Sequence, residues 1–594
     1  MRQDLRIAPL NAGAKASRRN LLRIAAGAGL AQRLGAPIPV SARQSEATPI
    51  AGGEPPANRE QESRLTIVEG AAESGGDPVR GGAIRLVRPG GSLANFNPAA
   101  FAQDRQIPLS YLEPLVRPDA VTLAPEPWLA RGWEWRSGGR ELIFQLRDDV
   151  GWHDGVLLTA ADAAFSFEVY RDDLDSAVAG LFALVESIEA TGERELRVGF
   201  SERDANWLAN VATLPLMSRN QYEAFWREQS AGARSLTGFN WTASLPVGTG
   251  PWQLAAWDGS AVRFERYAEY WHEPALLDGL EVVGEDGGRN RLDAWIGGDS
   301  ALLWPVRAQS IDTIADGPGA LHAVPAASVM FAAFNFASPN QVNGTVWGDL
   351  RVRQAASLAI DRQRYADEVF GGFIRWDAAG TVAQPWANDP ALLSPPYNPA
   401  LAAILLGEAG WIDYNGDGFR EDVNGVPFTV VAIARDDSRP ELAGVLARVS
   451  RDWAKVGIAL TVEFLPGEEF DSRWIQRRDY DLIAYAYDLL PGFTDFDLYG
   501  SAWDIRRNPA GWNPGGYSNP EADAAIAEFL DSVSVTRQAG ALRRLQATVN
   551  DDLFGLWFGF PNDLVLVEAG VDGFAPDLAW QTARTSELWL RSKE

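Results

Sequence analysis

The chain has 594 residues, 46% of them apolar, which is too long for one hydrophobic core and suits two lobes or several domains. Its net charge of −26 repels phosphate backbones and argues against nucleic acid as a partner. There is no cysteine, which excludes disulfides, thiolate metal sites and cysteine nucleophiles, and no apolar run reaches the roughly 18–20 residues that span a bilayer.

The first 42 residues hold seven Arg or Lys and one acidic residue. Within them Ser17-Arg18-Arg19-Asn20-Leu21-Leu22-Arg23 resembles a twin-arginine export signal, followed by a short Gly/Ala-rich apolar run over 24–31. Val40-Ser41-Ala42 fits a cleavage site, so residues 1–42 are set aside as a signal peptide. Residues 43–80 are rich in Gly, Pro, Ala and Glu with little periodicity and read as a flexible linker.

Beyond residue 81 strand and helix patterns alternate, giving an α/β (mixed α+β) class with mixed sheets. Residues 141–147 alternate with Leu142, Phe144 and Leu146 on one face. Residues 262–267 do the same, as do Ile458, Leu460, Val462 and Phe464. Thr159 and Asp162 form a capping box that opens a helix running to about Asp172. Asp349 caps a helix whose Val352, Ala355, Ala356, Ala359 and Ile360 share a face and which Gly371-Gly372 stops. Asn398-Pro399 starts a helix with Leu401, Ile404 and Leu405 inward. Asn519-Pro520 starts another with Ile526 and Leu530 inward.

Few residues suggest chemistry. His153-Asp154 sits between a strand and a capped helix, so a turn explains it better than a catalytic pair. His272 and His322 lack the His partner a metal site needs. Gly248-Thr249-Gly250 lacks the Lys-Ser/Thr of a phosphate loop and reads as a tight turn. Asp413, Asn415 and Asp417 place oxygens at positions 1, 3 and 5 of a candidate calcium loop, with Glu421 at 9, but position 12 is Asn424, which gives no bidentate carboxylate. Trp386 and the Trp512-Asn513 pair stand in Gly/Pro-rich loops, where an indole can stack on a ligand. Nothing asks for a cofactor. No Gly-x-Ser-x-Gly elbow or His-Glu-x-x-His is found, although two carboxylates would suffice for a secreted glycoside hydrolase.

The order of several short motifs resembles solute-binding protein family 5, the dipeptide/oligopeptide/nickel-binding group. They are Asn95-Phe96-Asn97-Pro98, Tyr111-Leu112-Glu113-Pro114-Leu115, Pro127-Trp128-Leu129-Ala130, Trp152-His153-Asp154-Gly155, Gly248-Thr249-Gly250-Pro251-Trp252, Arg351-Val352-Arg353-Gln354-Ala355, Ala359-Ile360-Asp361-Arg362 and Leu405-Leu406-Gly407-Glu408-Ala409-Gly410-Trp411. The resemblance implies a two-lobed periplasmic-binding-protein-like type II fold. Lobe one would span 81–328 with an inserted subdomain, lobe two 329–562, and 563–594 would return to lobe one. It implies an exported monomeric receptor, not an enzyme, that binds an oligopeptide-like ligand between the lobes and delivers it to an ABC permease and ATPase complex; an oligosaccharide is the alternative guest. Asp488 stands where peptide-binding members carry the Asp that faces the ligand ammonium, although Tyr485-Ala486-Tyr487 replaces the usual Gly-Trp before it; Asp495 and Asp497 are substitutes. Tyr487, Asn335 and Tyr111 complete the ligand-binding set that the resemblance implies.

Overall fold

The computed structural model describes residues 66–69, 77–88, 95–100, 106–120, 122–285, 291–306, 310–314, 319–325, 328–338, 346–377, 385–488, 496–508, 511, 513–577 and 582–591. The export motif and most of the linker lie outside the described residues. One stretch of the linker does not: Thr66–Glu69 is a strand parallel to Gly319–Pro325, with Thr66 opposite Ala320 and Glu69 opposite Ala323. This corrects the reading of 43–80 as flexible throughout. Four β-branched-rich residues are too few to show a period against a Gly/Pro-rich background.

Lobe one packs two antiparallel-rich sheets into one core. The first joins Ala83–Arg88, Gly279–Gly284, Ala261–Arg266 and Trp252–Trp257; the second joins Ala130–Arg136, Glu141–Leu146, Glu195–Phe200 and Val185–Ala190. The helix Ala160–Asp172 starts at the capping box, where the Asp162 carboxylate accepts from the Thr159 amide (2.8 Å) and hydroxyl (2.7 Å). The Gly248 turn needs glycine because a side chain there would collide with the Tyr111 carbonyl, 1.6 Å from an added Cβ.

Lobe two is a sheet covered on both faces. In Ser328–Phe334 the residues Met330, Ala332 and Phe334 enter one core, and Val329, Phe331 and Ala333 enter the other. A strand buried on both sides reads as the continuous apolar run seen in its sequence. Helices Leu350–Leu358, Arg362–Phe370 and Pro440–Ala454 cover the first face; Pro520–Leu530 and Val535–Asp551 cover the second.

Three sequence expectations are corrected here. The segment from Asp349 to Gly371 is two helices, because Asp361 makes a second cap, accepting from the Arg364 amide at 3.2 Å. In Pro399–Glu408 the buried side chains are Ala402 and Leu406, while Leu401 and Ile404 are 40% and 57% exposed. That helix is apolar on all sides, so periodicity does not select a face. In Pro520–Leu530, Phe529 takes the core position beside Ile526, and Leu530 is exposed.

The two lobes share one strand. Residues 562–568 of Gly555–Glu568 pair with Gly319–Pro325 of lobe one, and residues 555–559 pair with Ser328–Phe334 of lobe two. Between these partners lies Ile374–Arg375, opposite Phe560 and Pro561. The crossing is pinned from lobe two: Arg362 Nε donates to the Trp557 carbonyl at 2.9 Å and the Tyr365 hydroxyl to that of Phe558 at 2.6 Å. Among the described residues no helix is long and apolar enough to cross a membrane.

Candidate binding site

Three strands of lobe two run parallel: Thr429–Arg435, Ala459–Leu465 and Leu482–Asp488. Ligands of such sheets bind outside the carboxyl ends of the strands, where side chains and helix N-termini converge. Those ends are Arg435, Leu465 and Asp488. The antiparallel neighbour begins at the same end, Ser328 opposite Asp488, and Ser328 is where the chain has just left lobe one. This end of the sheet therefore faces the other lobe.

Two guanidinium groups are fixed there. Arg435 grips Asp437 through two parallel bonds of 2.8 and 2.7 Å, and this pairing holds the Asp437 carboxyl below its ordinary range. Arg439 precedes Pro440, the first residue of Pro440–Ala454. Its Nη1 donates to the Ser328 hydroxyl at 2.9 Å, and its other nitrogens stand 4.0 Å from Glu441 and from Asp563 of the shared strand. The guanidinium adds to the partial positive charge of the helix N-terminus, and Glu441 and Asp563 offset part of it. Sequence reasoning passed over Arg439; its only signal was an Arg-Pro pair opening a helix directly after a strand.

The residues singled out from the sequence fall in several places. Asp488 and Tyr487 end their strand at the site, opposite Ser328 and Val329; their side chains, like those of Trp512, Asp495 and Asp497, lie outside the described residues. Trp386 is half-buried beside lobe one, facing Trp135 and Leu208 across a gap. Three others are corrected to structural roles because their groups are already used inside a lobe. Tyr111 is a core residue of lobe one, packed on Phe96 and Phe264, and burial pushes its hydroxyl far above its ordinary range. The Asn335 amide donates to the carbonyls of Arg478 (3.1 Å) and Tyr480 (2.9 Å) and accepts from Ala337. Asn513 donates to the carbonyls of Gly500 and Tyr517 and accepts from the Tyr517 amide.

His153 is likewise occupied. Its Nδ1 accepts from the Gly248 amide at 3.0 Å and its Nε2 meets the Gly250 carbonyl at 2.9 Å, which sets the neutral ring; burial pushes it down to about 4. Glu113 ties together three motifs that are distant in the chain. Its carboxylate accepts from the Trp128 and Trp271 indoles (2.8 and 3.0 Å), the Tyr270 hydroxyl (2.6 Å) and the Thr249 hydroxyl (2.8 Å). Burial pushes its pKa up against these four bonds. In the Asp413 loop the carboxylates of Asp413, Asp417 and Glu421 come within 4.8 Å of one another. The Asn415 amide sits among them, donating to Asp417 at 3.1 Å and Glu421 at 2.7 Å, and Asp413 accepts from the amides of Gly416 and Gly418.

Two α/β lobes joined through one shared strand, with charged strand ends turned toward the partner lobe, define a two-lobed binding protein. Residues 124–503 match the family described as bacterial extracellular solute-binding proteins, family 5 Middle. The chain belongs to that family. It is 27% identical over 387 residues to a Brucella ovis protein described as an ABC transporter peptide-binding protein, covering 63% of this chain and 66%, just under two thirds, of the relative. It is 23% identical over 453 residues to heme-binding protein A of Haemophilus influenzae, covering 72% and 77% of the two chains. The crystal structure of a nickel ABC transporter protein from Bacillus halodurans has the same fold, with a TM-score of 0.71, 21% identity, and coverage of 85% of this chain and 99% of that one.

Proposed function

We propose that this protein is the extracytoplasmic receptor of an ABC importer. It closes its lobes around an oligopeptide-like guest and passes it unaltered to a membrane permease. The observation that carries the peptide reading is the strand end that places Arg439, fixed on Ser328, one strand away from Asp488. A peptide with free ends offers a carboxylate to the guanidinium and an ammonium to the carboxylate. Both bonds gain strength when closure excludes water. The guest favours the closed arrangement by as much as it binds it better than the open one. The described names of relatives support the peptide reading, and they also include heme and nickel, so the guest is assigned from the site.

The half-buried Trp386 supports one second reading, an oligosaccharide stacked on its ring. Calorimetry and thermal shift with tri-alanine, its C-terminal amide and maltotriose separate the two. Tri-alanine at about 100 times Kd raises stability by about 2.7 kcal/mol. Asp488→Ala and Arg439→Ala each weaken binding by roughly ten- to a hundredfold, and only the Arg439 variant no longer distinguishes acid from amide. Stabilisation by maltotriose alone would overturn the peptide reading. Recovery of a cleaved peptide would overturn the receptor. Export through the twin-arginine pathway belongs to the same proposal: replacing Arg18 and Arg19 by Lys should leave the folded protein in the cytoplasm.

A further inference from the structure

The hairpin of Val116–Pro118 and Pro125–Pro127 belongs to lobe one, but its tip does not end there. Asp119 builds the tip. Its Oδ1 accepts from the Thr122 amide and hydroxyl, both at 2.7 Å, and its carbonyl accepts from the Leu123 amide at 3.0 Å. This turn holds Leu123 in the left-handed region, φ +60°, which a bulky side chain rarely adopts. Such strain persists only where the surroundings over-determine it. Leu123 is 1% exposed, and every other buried residue of the apolar cluster it joins lies in lobe two, between Val329 and Phe560.

Two polar contacts flank this knob. Arg203 is held by the Gly138 carbonyl at 2.8 and 3.0 Å and reaches the Asp531 carboxylate, with the Asp531 carbonyl at 2.6 Å. Gln538 Nε2 donates to the Ala205 carbonyl at 3.0 Å. Beside them the lobes meet imperfectly. A small crevice remains, walled by Pro125, Trp135 and Leu208 on one side and by Trp386, Phe529 and Val535 on the other.

We propose that Leu123 is a knob by which lobe one holds lobe two shut before any guest arrives, with Arg203–Asp531 and Gln538–Ala205 as its polar rim. The inference rests on the receptor reading. Its consequence is quantitative: if only the shut form binds, apparent affinity is the intrinsic affinity scaled by the shut fraction. The knob would then set affinity from outside the charged strand ends.

The cysteine-free chain makes the test direct. A cysteine pair introduced at the exposed Glu186 of lobe one and Ala524 of lobe two carries a donor and an acceptor dye. Single-molecule energy transfer on the ligand-free protein is expected to show mainly the shut distance. Leu123→Ala shifts the shut-to-open ratio by about tenfold or more, because the buried side chain is lost. Arg203→Ala and Gln538→Ala shift it by roughly threefold each. An unchanged distribution in a folded Leu123→Ala protein overturns the proposal. If that variant does not fold, unchanged distributions in both rim variants overturn it. No guest is present, so this result is independent of the receptor reading, which fails instead if neither peptide nor sugar alters the melting temperature.

Discussion

His153 is a core histidine whose two ring nitrogens hold the Gly248 turn, and its chemistry predicts a pH effect on stability. The folded ring titrates at about 4 and the unfolded one near 6.5. The unfolded chain therefore binds the proton first, so stability is full above about pH 6.5 and is lost as pH falls toward 4. The loss attributable to this ring is at most about 3 kcal/mol. Urea melts of wild type and His153→Asn across that window check it: the difference between the two curves should shrink as the pH falls. Glu113 acts with the opposite sign, since its raised pKa makes the folded chain hold a proton that the unfolded chain has lost. Glu113→Gln turns two donors against the indole and hydroxyl donors around it, at a cost of about 1–3 kcal/mol in the same melts. The Asp413 loop is held by its own amides and by Asn415, and so should not depend on calcium. The melting temperature is expected to be the same in EDTA and in millimolar Ca²⁺; a rise with Ca²⁺ would show that the three carboxylates bind the ion.

At the scale of elements, caps were legible and faces were not always. The Thr159–Asp162 box and the caps Asp349, Asn398 and Asn519 all open the helices that their sequence signals announced, because each is a bond within four residues. Which side of Pro399–Glu408 is buried depends on Leu350–Leu358, which packs against it from a different stretch of chain. The assignment is testable. Leu406→Ala should cost about 2–5 kcal/mol, whereas Ile404→Ser should change stability by less than about 0.5 kcal/mol. Equal losses would restore the face expected from sequence. The Thr66–Glu69 strand was missed for a related reason: its partner lies some 250 residues on, and nothing local marks it.

For the whole molecule, the crossing is the critical joint. Gly559 sits where the shared strand leaves Ser328–Phe334, with φ +115° and the Arg375 carbonyl 2.7 Å from where a Cβ would be. Gly559→Ala meets both obstacles and should cost roughly 1–3 kcal/mol in denaturant melts, more than Gly416→Ala on the exposed Asp413 turn, where nothing crowds the added atom. Local pattern was enough for the class of fold, several of its strands and helices, most caps, and the motifs that mark the family, since these rest on periods and bonds within a few residues. The sequence also marked Asp488, through resemblance. Tertiary contacts alone show that Glu113 joins three of those motifs, that Tyr111, Asn335 and Asn513 are structural, that Arg439 stands at the strand end, and that Leu123 enters the opposite lobe. Each of those is a contact between segments far apart in the chain, and no local pattern carries the position of a distant partner.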